Sequence, residues 1–201
     1  LGAGALAGTQ DVMRHRDLAV MLATGGMGLV RAAYSAEKHA YGVGAGNAPA
    51  YIERSADLAK AVRDILTGKT FDNGLLCSSE NSVVVDRMIA DDAKREFEVR
   101  GGVFLSAAEC DALAKVLVTP QRLPNPALVG KPATEVAAAA GITVPPDTRV
   151  LIAPLTGVGR EYPLSIEKLC PVLSFYVVEA WKAGCDRCKE ILGYGGMGHT
   201  M

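Results

Sequence analysis

Three short apolar runs constrain the fold of this chain more than any other feature: Ser82-Val-Val-Val-Asp86, Val150-Leu-Ile-Ala153 and Leu173-Ser-Phe-Tyr-Val-Val178. Each is rich in β-branched or aromatic residues and only a few residues long, so each reads as a buried strand. A fourth run, Leu18-Ala-Val-Met-Leu-Ala23, is closed by Thr24-Gly25-Gly26-Met27-Gly28 and followed by Leu29, Val30, Ala33 and Tyr34 at helical spacing. Strand, glycine turn and helix in that order place the chain in the α/β class.

Helical patterns fill the intervals. Thr9 to Arg16 reads as a helix with Val12 and Met13 inward. Ser55 is predicted to cap a helix carrying Leu58, Val62, Ile65 and Leu66, closed by Gly68. Ser106-Ala-Ala-Glu109 has the form of a capping box opening a helix that runs through Leu113 and Val116 to about Val118. Ala133 to Ala140 and Glu179 to Leu192 complete the set. Tyr41 to Pro49 is glycine-rich, Pro120 to Lys131 reads as a loop, and Pro145-Pro146 is a break.

With 201 residues, nearly half of them apolar and 21% charged, the chain has room for one domain, or one domain and part of another. A formal charge of −1 with interspersed signs offers no basic stripe for nucleic acid. The apolar runs are too short to span a bilayer, and Leu1-Gly-Ala-Gly-Ala-Leu-Ala-Gly8 lacks the pattern of a secretory signal. It reads as the middle of a longer chain. Five cysteines without disulfide-like spacing fit a reducing compartment, the cytosol by default.

Among those cysteines, Cys77 follows an Asn-Gly turn signal and precedes Ser78, Ser79 and Glu80, a polar cluster suited to a first helical turn. A thiolate is stabilised at such a helix start. Cys185 and Cys188 fall on one side of the last helix, but no further Cys or His pair is spaced to complete four metal ligands, so no metal site is expected. Cys110 and Cys170 read as structural.

The segment Thr70-Phe-Asp-Asn-Gly-Leu-Leu-Cys-Ser-Ser-Glu-Asn-Ser-Val-Val-Val-Asp86 closely resembles the active-site segment of the CoA-acylating aldehyde dehydrogenases. That family includes the dehydrogenase half of bifunctional aldehyde-alcohol dehydrogenases and the microcompartment-type acetaldehyde and propionaldehyde dehydrogenases. Further blocks resemble the family in order: Ala23-Thr-Gly-Gly-Met-Gly28, Gly42-Val-Gly-Ala-Gly-Asn-Ala-Pro49, Glu167-Lys-Leu-Cys-Pro-Val-Leu173 and Gly195-Gly-Met-Gly-His-Thr200. The resemblance implies an aldehyde dehydrogenase-like fold, with residues 1–44 the end of a Rossmann-like NAD(P)-binding domain and 45–201 most of a three-layer α/β/α catalytic domain.

It also implies a chemistry. Cys77 attacks an aldehyde, hydride passes to NAD or NADP, and coenzyme A takes the acyl group from the thioester. The Cys77 amide helps hold the oxyanion, together with an Asn from an upstream segment outside this chain. Thr24, Gly25 and Gly26 lie near the dinucleotide, and Glu167 matches the residue that binds the nicotinamide ribose. Gly42 stands where hydrolytic members carry a water-activating Glu, which favours acyl transfer to a thiol. Gly44 and His199 are placed near substrate or cofactor, and Ile166 replaces a His or Arg of several relatives, with an effect on the substrate or CoA region. The resemblance further implies a short aldehyde and CoA as small-molecule partners, a homo-oligomer, and a location in the cytosol or a bacterial microcompartment. A hydrolytic aldehyde dehydrogenase and a catalytically silent scaffold of the same fold are the alternatives. The aldehyde and the choice between NAD and NADP are not legible in these residues.

Overall fold

The β-branched run of residues 83–85 lies inside a parallel sheet, each valine fully buried. The computed structural model describes residues 6–197 and 199, and the chain divides into two units between Ala45 and Gly46. Residues 1–5 of the expected non-signal start, and Gly198 and Thr200 of the last block, lie outside the described residues.

The first unit contains α1 (Leu6–Arg14), β1 (Val20–Thr24), α2 (Met27–Tyr34) and β2 (His39–Val43). β1 and β2 run parallel, in register from Val20 opposite His39 to Thr24 opposite Val43. Parallel neighbours require a crossover, and α2 supplies it, burying Val30 and Ala33.

The second unit runs β3 (Ala48–Ile52), α3 (Leu58–Thr70), β4 (Glu80–Asp86), α4 (Ala90–Val99), β5 (Gly102–Phe104), α5 (Ala107–Leu117), α6 (Ala133–Ala139), β6 (Val150–Pro154), β7 (Val172–Val178) and α7 (Trp181–Gly195). The sheet order is β3-β4-β7-β6-β5, all parallel. Alternation along the strands divides the core. Val83, Val85, Leu173 and Phe175 pack with Val62, Ile65 and Leu66 of α3 and Phe97 of α4. On the other face Leu151, Ala153 and Val172 meet α5 and α6, while Val84, Tyr176 and Val178 meet Ile191 of α7. A sheet covered on both faces needs strands that are apolar throughout, which is why these runs lack a polar alternation.

Several local expectations are corrected. The cap of α3 is Asp57, whose Oδ1 accepts from the Lys60 amide at 3.0 Å, and not Ser55, whose hydroxyl donates to Glu53 instead. Gly68 does not close α3, which continues to Thr70. The glycine-rich stretch 41–49 contains the end of β2 and the start of β3, and Pro49 is tolerated because β3 is an edge strand. α4 and β5, without a strong sequence signal, carry the chain to the far edge of the sheet. The capping box at Ser106 and Glu109 forms in full. Among the described residues no helix is long and apolar enough to cross a membrane.

Candidate active site

The amino ends of three adjacent strands converge in the second unit. Gly46 and Asn47 precede β3, Cys77 to Ser79 precede β4, and Glu167 to Cys170 precede β7.

Cys77 lies in a turn, closed by the Ser79 amide donating to the Leu76 carbonyl at 3.0 Å, and β4 follows directly. This corrects the expected helix start: pairing of Glu80 with Ala48 extends the valine-rich strand back to residue 80, so a strand and not a helix follows Cys77. The approach is tightly folded. Asp72, Asn73 and Gly74 all have positive φ, and a β-carbon on Gly74 would come within 2.8 Å of the Cys170 carbonyl group. The Cys77 side chain is half-buried. Burial pushes the thiols of Cys110, Cys170 and Cys188 up to about 11, which disfavours them as thiolates at neutral pH.

Gly46 is where Cys77, Glu167 and His199 meet. Its amide donates to Glu167 Oε1 at 3.1 Å, and a β-carbon on it would collide with the Cys77 carbonyl oxygen and stand 3.4 Å from the His199 ring. Both His199 ring nitrogens are buried and lack a hydrogen-bond partner among the described residues. Glu167 is 8% exposed. Burial pushes its carboxyl above the usual range, and the Gly46 amide, Lys69, His199 and Lys168 pull it back. A carboxylate with one oxygen engaged keeps a second oxygen able to accept from a ligand hydroxyl.

Four polar residues around this point were given no role in the sequence analysis. Asn47, fully buried, donates to the carbonyls of Ser165 at 2.9 Å and Ile191 at 3.2 Å. Gly195 packs on its side-chain amide, so Asn47 anchors the chain leading to His199. Lys69, Asn81 and Lys168 form a buried network behind Glu167. Only Lys69 left a signal: it sits at helical spacing on the apolar stripe of Val62, Ile65 and Leu66, where a lysine is out of place.

The remaining expected residues lie in the first unit. Thr24 ends β1, the Gly25 amide donates to the Val43 carbonyl at 3.1 Å, and Gly26 precedes α2 in an extended conformation. Gly42 donates to the Tyr34 hydroxyl at 3.0 Å, and a β-carbon there would stand 2.6 Å from Val30 Cγ1. At Gly44 it would meet Met27 Sδ at 2.9 Å. In the second unit, Ile166 is buried in the core shared with α5 and α6, where its side chain fills packing space. No group of three or more potential metal-ligating side chains occurs among the described residues.

The aldehyde dehydrogenase family model matches residues 2–100. The chain is 42% identical over 189 residues to the bifunctional aldehyde-alcohol dehydrogenase of Escherichia coli K12, covering 94% of this chain and 21% of that protein. The structure of an acetylating aldehyde dehydrogenase from Geobacillus thermoglucosidasius superposes with a TM-score of 0.94 at 44% identity, over 97% of this chain and 43% of that one. A propionaldehyde dehydrogenase of Rhodopseudomonas palustris, solved with CoA and an acylated cysteine, superposes with a TM-score of 0.85 at 29% identity, over 93% of this chain and 42% of that one. The chain thus spans less than half the length of these relatives. With the motif blocks in order, the parallel α/β architecture and this agreement in sequence and fold, the chain belongs to the aldehyde dehydrogenase family, with its similarity directed at the CoA-acylating members.

Proposed function

We propose that this chain is the cysteine-bearing part of an enzyme that converts a short aldehyde, NAD(P)+ and coenzyme A to an acyl-CoA and NAD(P)H. The meeting of Cys77, Glu167 and His199 around Gly46 is the observation that carries this reading. Cys77, half-buried and free, supplies the sulfur that attacks the aldehyde carbon and then holds the acyl group as a thioester. Its amide is an oxyanion donor. When bound, the nicotinamide accepts the hydride. Glu167 accepts from the ribose hydroxyls, and Thr24, Gly25 and Gly26 allow the first unit's backbone to approach the dinucleotide. His199, whose ring nitrogens have no partner among the described residues, lies near substrate or cofactor.

Transfer to a thiol and not to water follows from Gly42. Val30 and Tyr34 fill the space where a side chain would begin, so the position offers no room for a water-activating carboxylate in this packing. We assign the activity to the cytosol, where the five free thiols stay reduced, and to a homo-oligomer, on family resemblance.

The test is made on the full-length protein. Cys77→Ser is expected to abolish CoA-dependent NAD(P)H formation from aldehyde, and mass spectrometry of the wild type without CoA should find the acyl group on the peptide containing Cys77. Retention of the rate by Cys77→Ser, or free acid formed equally well without CoA, overturns the proposal.

A further inference from the structure

Two lysines are fully buried behind the candidate site. The ammonium of Lys168 is satisfied by neutral acceptors: the carbonyls of Leu164 at 2.8 Å and Ile166 at 2.9 Å, and Ser174 Oγ at 3.0 Å. Lys69 is different. Its Nζ donates to Asn81 Oδ1 at 3.1 Å, and the same oxygen accepts the backbone amide of Lys168 at 3.0 Å. Asn81 therefore ties Lys69 to the peptide immediately after Glu167. The groups within electrostatic reach of the Lys69 ammonium are Glu80, Glu167 and Cys170, with Lys168 on the cationic side.

A lysine removed from water is retained only where acceptors and anions compensate its desolvation. Hydrophobic packing of α3 alone would be served by a leucine at this turn. We propose that Lys69 is a positioning residue for Glu167: through Asn81 it fixes the backbone that carries the carboxylate, and its buried charge holds that carboxylate as an anion ready to accept ribose hydroxyls. The inference rests on the reading of Glu167 as a dinucleotide ligand. Burial pulls Lys69 down to about 8, with the neighbouring acids opposing, so the cation is present at neutral pH and below. Around Glu167 the facing groups are Lys69, Lys168 and His199. The donors of Lys168 are spent on the carbonyls of Leu164 and Ile166 and on Ser174, whereas Lys69 is tied through Asn81 to the peptide that follows Glu167.

The experiment is a fluorescence titration of the full-length protein with NADH, or NADPH if that is the form bound, across the acid and neutral range. In the wild type, affinity is expected to fall at acid pH as Glu167 takes up a proton. Lys69→Gln keeps a donor for Asn81 and loses the charge; it should move this acid limb upward by about one pH unit, or about tenfold weaker binding on the limb. A purely structural lysine would lower the melting temperature without displacing the limb. Should Lys69→Gln fail to fold, Lys69→Gln/Glu80→Gln keeps the buried charges balanced and is expected to show the same displacement. A limb unmoved in either folded variant overturns the role of Lys69. Glu167→Gln separates the two readings. If it binds dinucleotide like the wild type, the assignment of Glu167 fails; if it binds weakly while the Lys69 variant keeps the wild-type limb, only the positioning role fails.

Discussion

Gly46 and Cys77, thirty-one positions apart by their numbers, approach so closely that a β-carbon on Gly46 would collide with the Cys77 carbonyl oxygen. The same glycine gives its amide to Glu167, 121 residues further along the chain. Backbone on backbone leaves no flexible side chain to yield, so Gly46→Ala must displace the turn that carries Cys77. In the full-length enzyme it should lower kcat by about 100-fold, the cost of misplacing a reacting group by about 1 Å. Steady-state kinetics with an unchanged circular dichroism spectrum would check it.

Gly42→Glu restores the residue type of the hydrolytic enzymes but not their chemistry. The new side chain would start 2.6 Å from Val30 Cγ1 and 3.1 Å from the Tyr34 ring. Overpacking of this kind costs about 1–3 kcal/mol. The variant is expected to melt at lower temperature and to form free acid no faster than the parent when CoA is withheld, as measured by chromatography of the products.

Asn47→Ala removes two donors from a site with no access to water, leaving the carbonyls of Ser165 and Ile191 unpaired. Each such group costs about 1–3 kcal/mol. Asn47→Asp should be no rescue, because both contacts need a donor. Urea denaturation of the two variants against the parent gives the comparison.

Asp86 ends β4 with a fully buried side chain. The Met88 amide holds its carboxyl below the usual range, assisted by Arg54, whose Nε lies 2.9 Å from Oδ2. A carboxyl with a lowered native pKa stabilises the fold fully above its unfolded value, about 4, and that stability is lost as pH falls through the lower native value. Arg54→Met should shrink the loss. Thermal melts of both proteins between neutral and acid pH would reveal a flatter curve for the variant.

The strands and caps were written locally. The valines of β4, the runs of β6 and β7 and the Ser106 capping box each depend on neighbours within a few positions, and each appears where the pattern placed it. The motif blocks likewise carried the family and the candidate nucleophile, because residue types at fixed spacing survive without coordinates. Besides the cap and the end of α3, the sequence misread the setting of Cys77. Ser78, Ser79 and Glu80 suit a helix start and a strand entry alike, and only the pairing of Glu80 with Ala48 on a separate strand decided between them.

The buried polar network was decided by tertiary structure alone. Lys69, Asn81 and Lys168 are ordinary polar residues in the sequence, and their partners lie up to 87 positions away; those of Asn47 lie 118 and 144 away. Local propensity cannot specify such contacts, since they exist only once three strand ends are brought together and water is excluded between them. The sequence by itself determined most of the elements, the family and Cys77 as the candidate nucleophile. Packing at the amino ends of β3, β4 and β7 determined which polar groups surround Glu167 and His199, because desolvation makes every unpaired donor there costly and so selects a single arrangement.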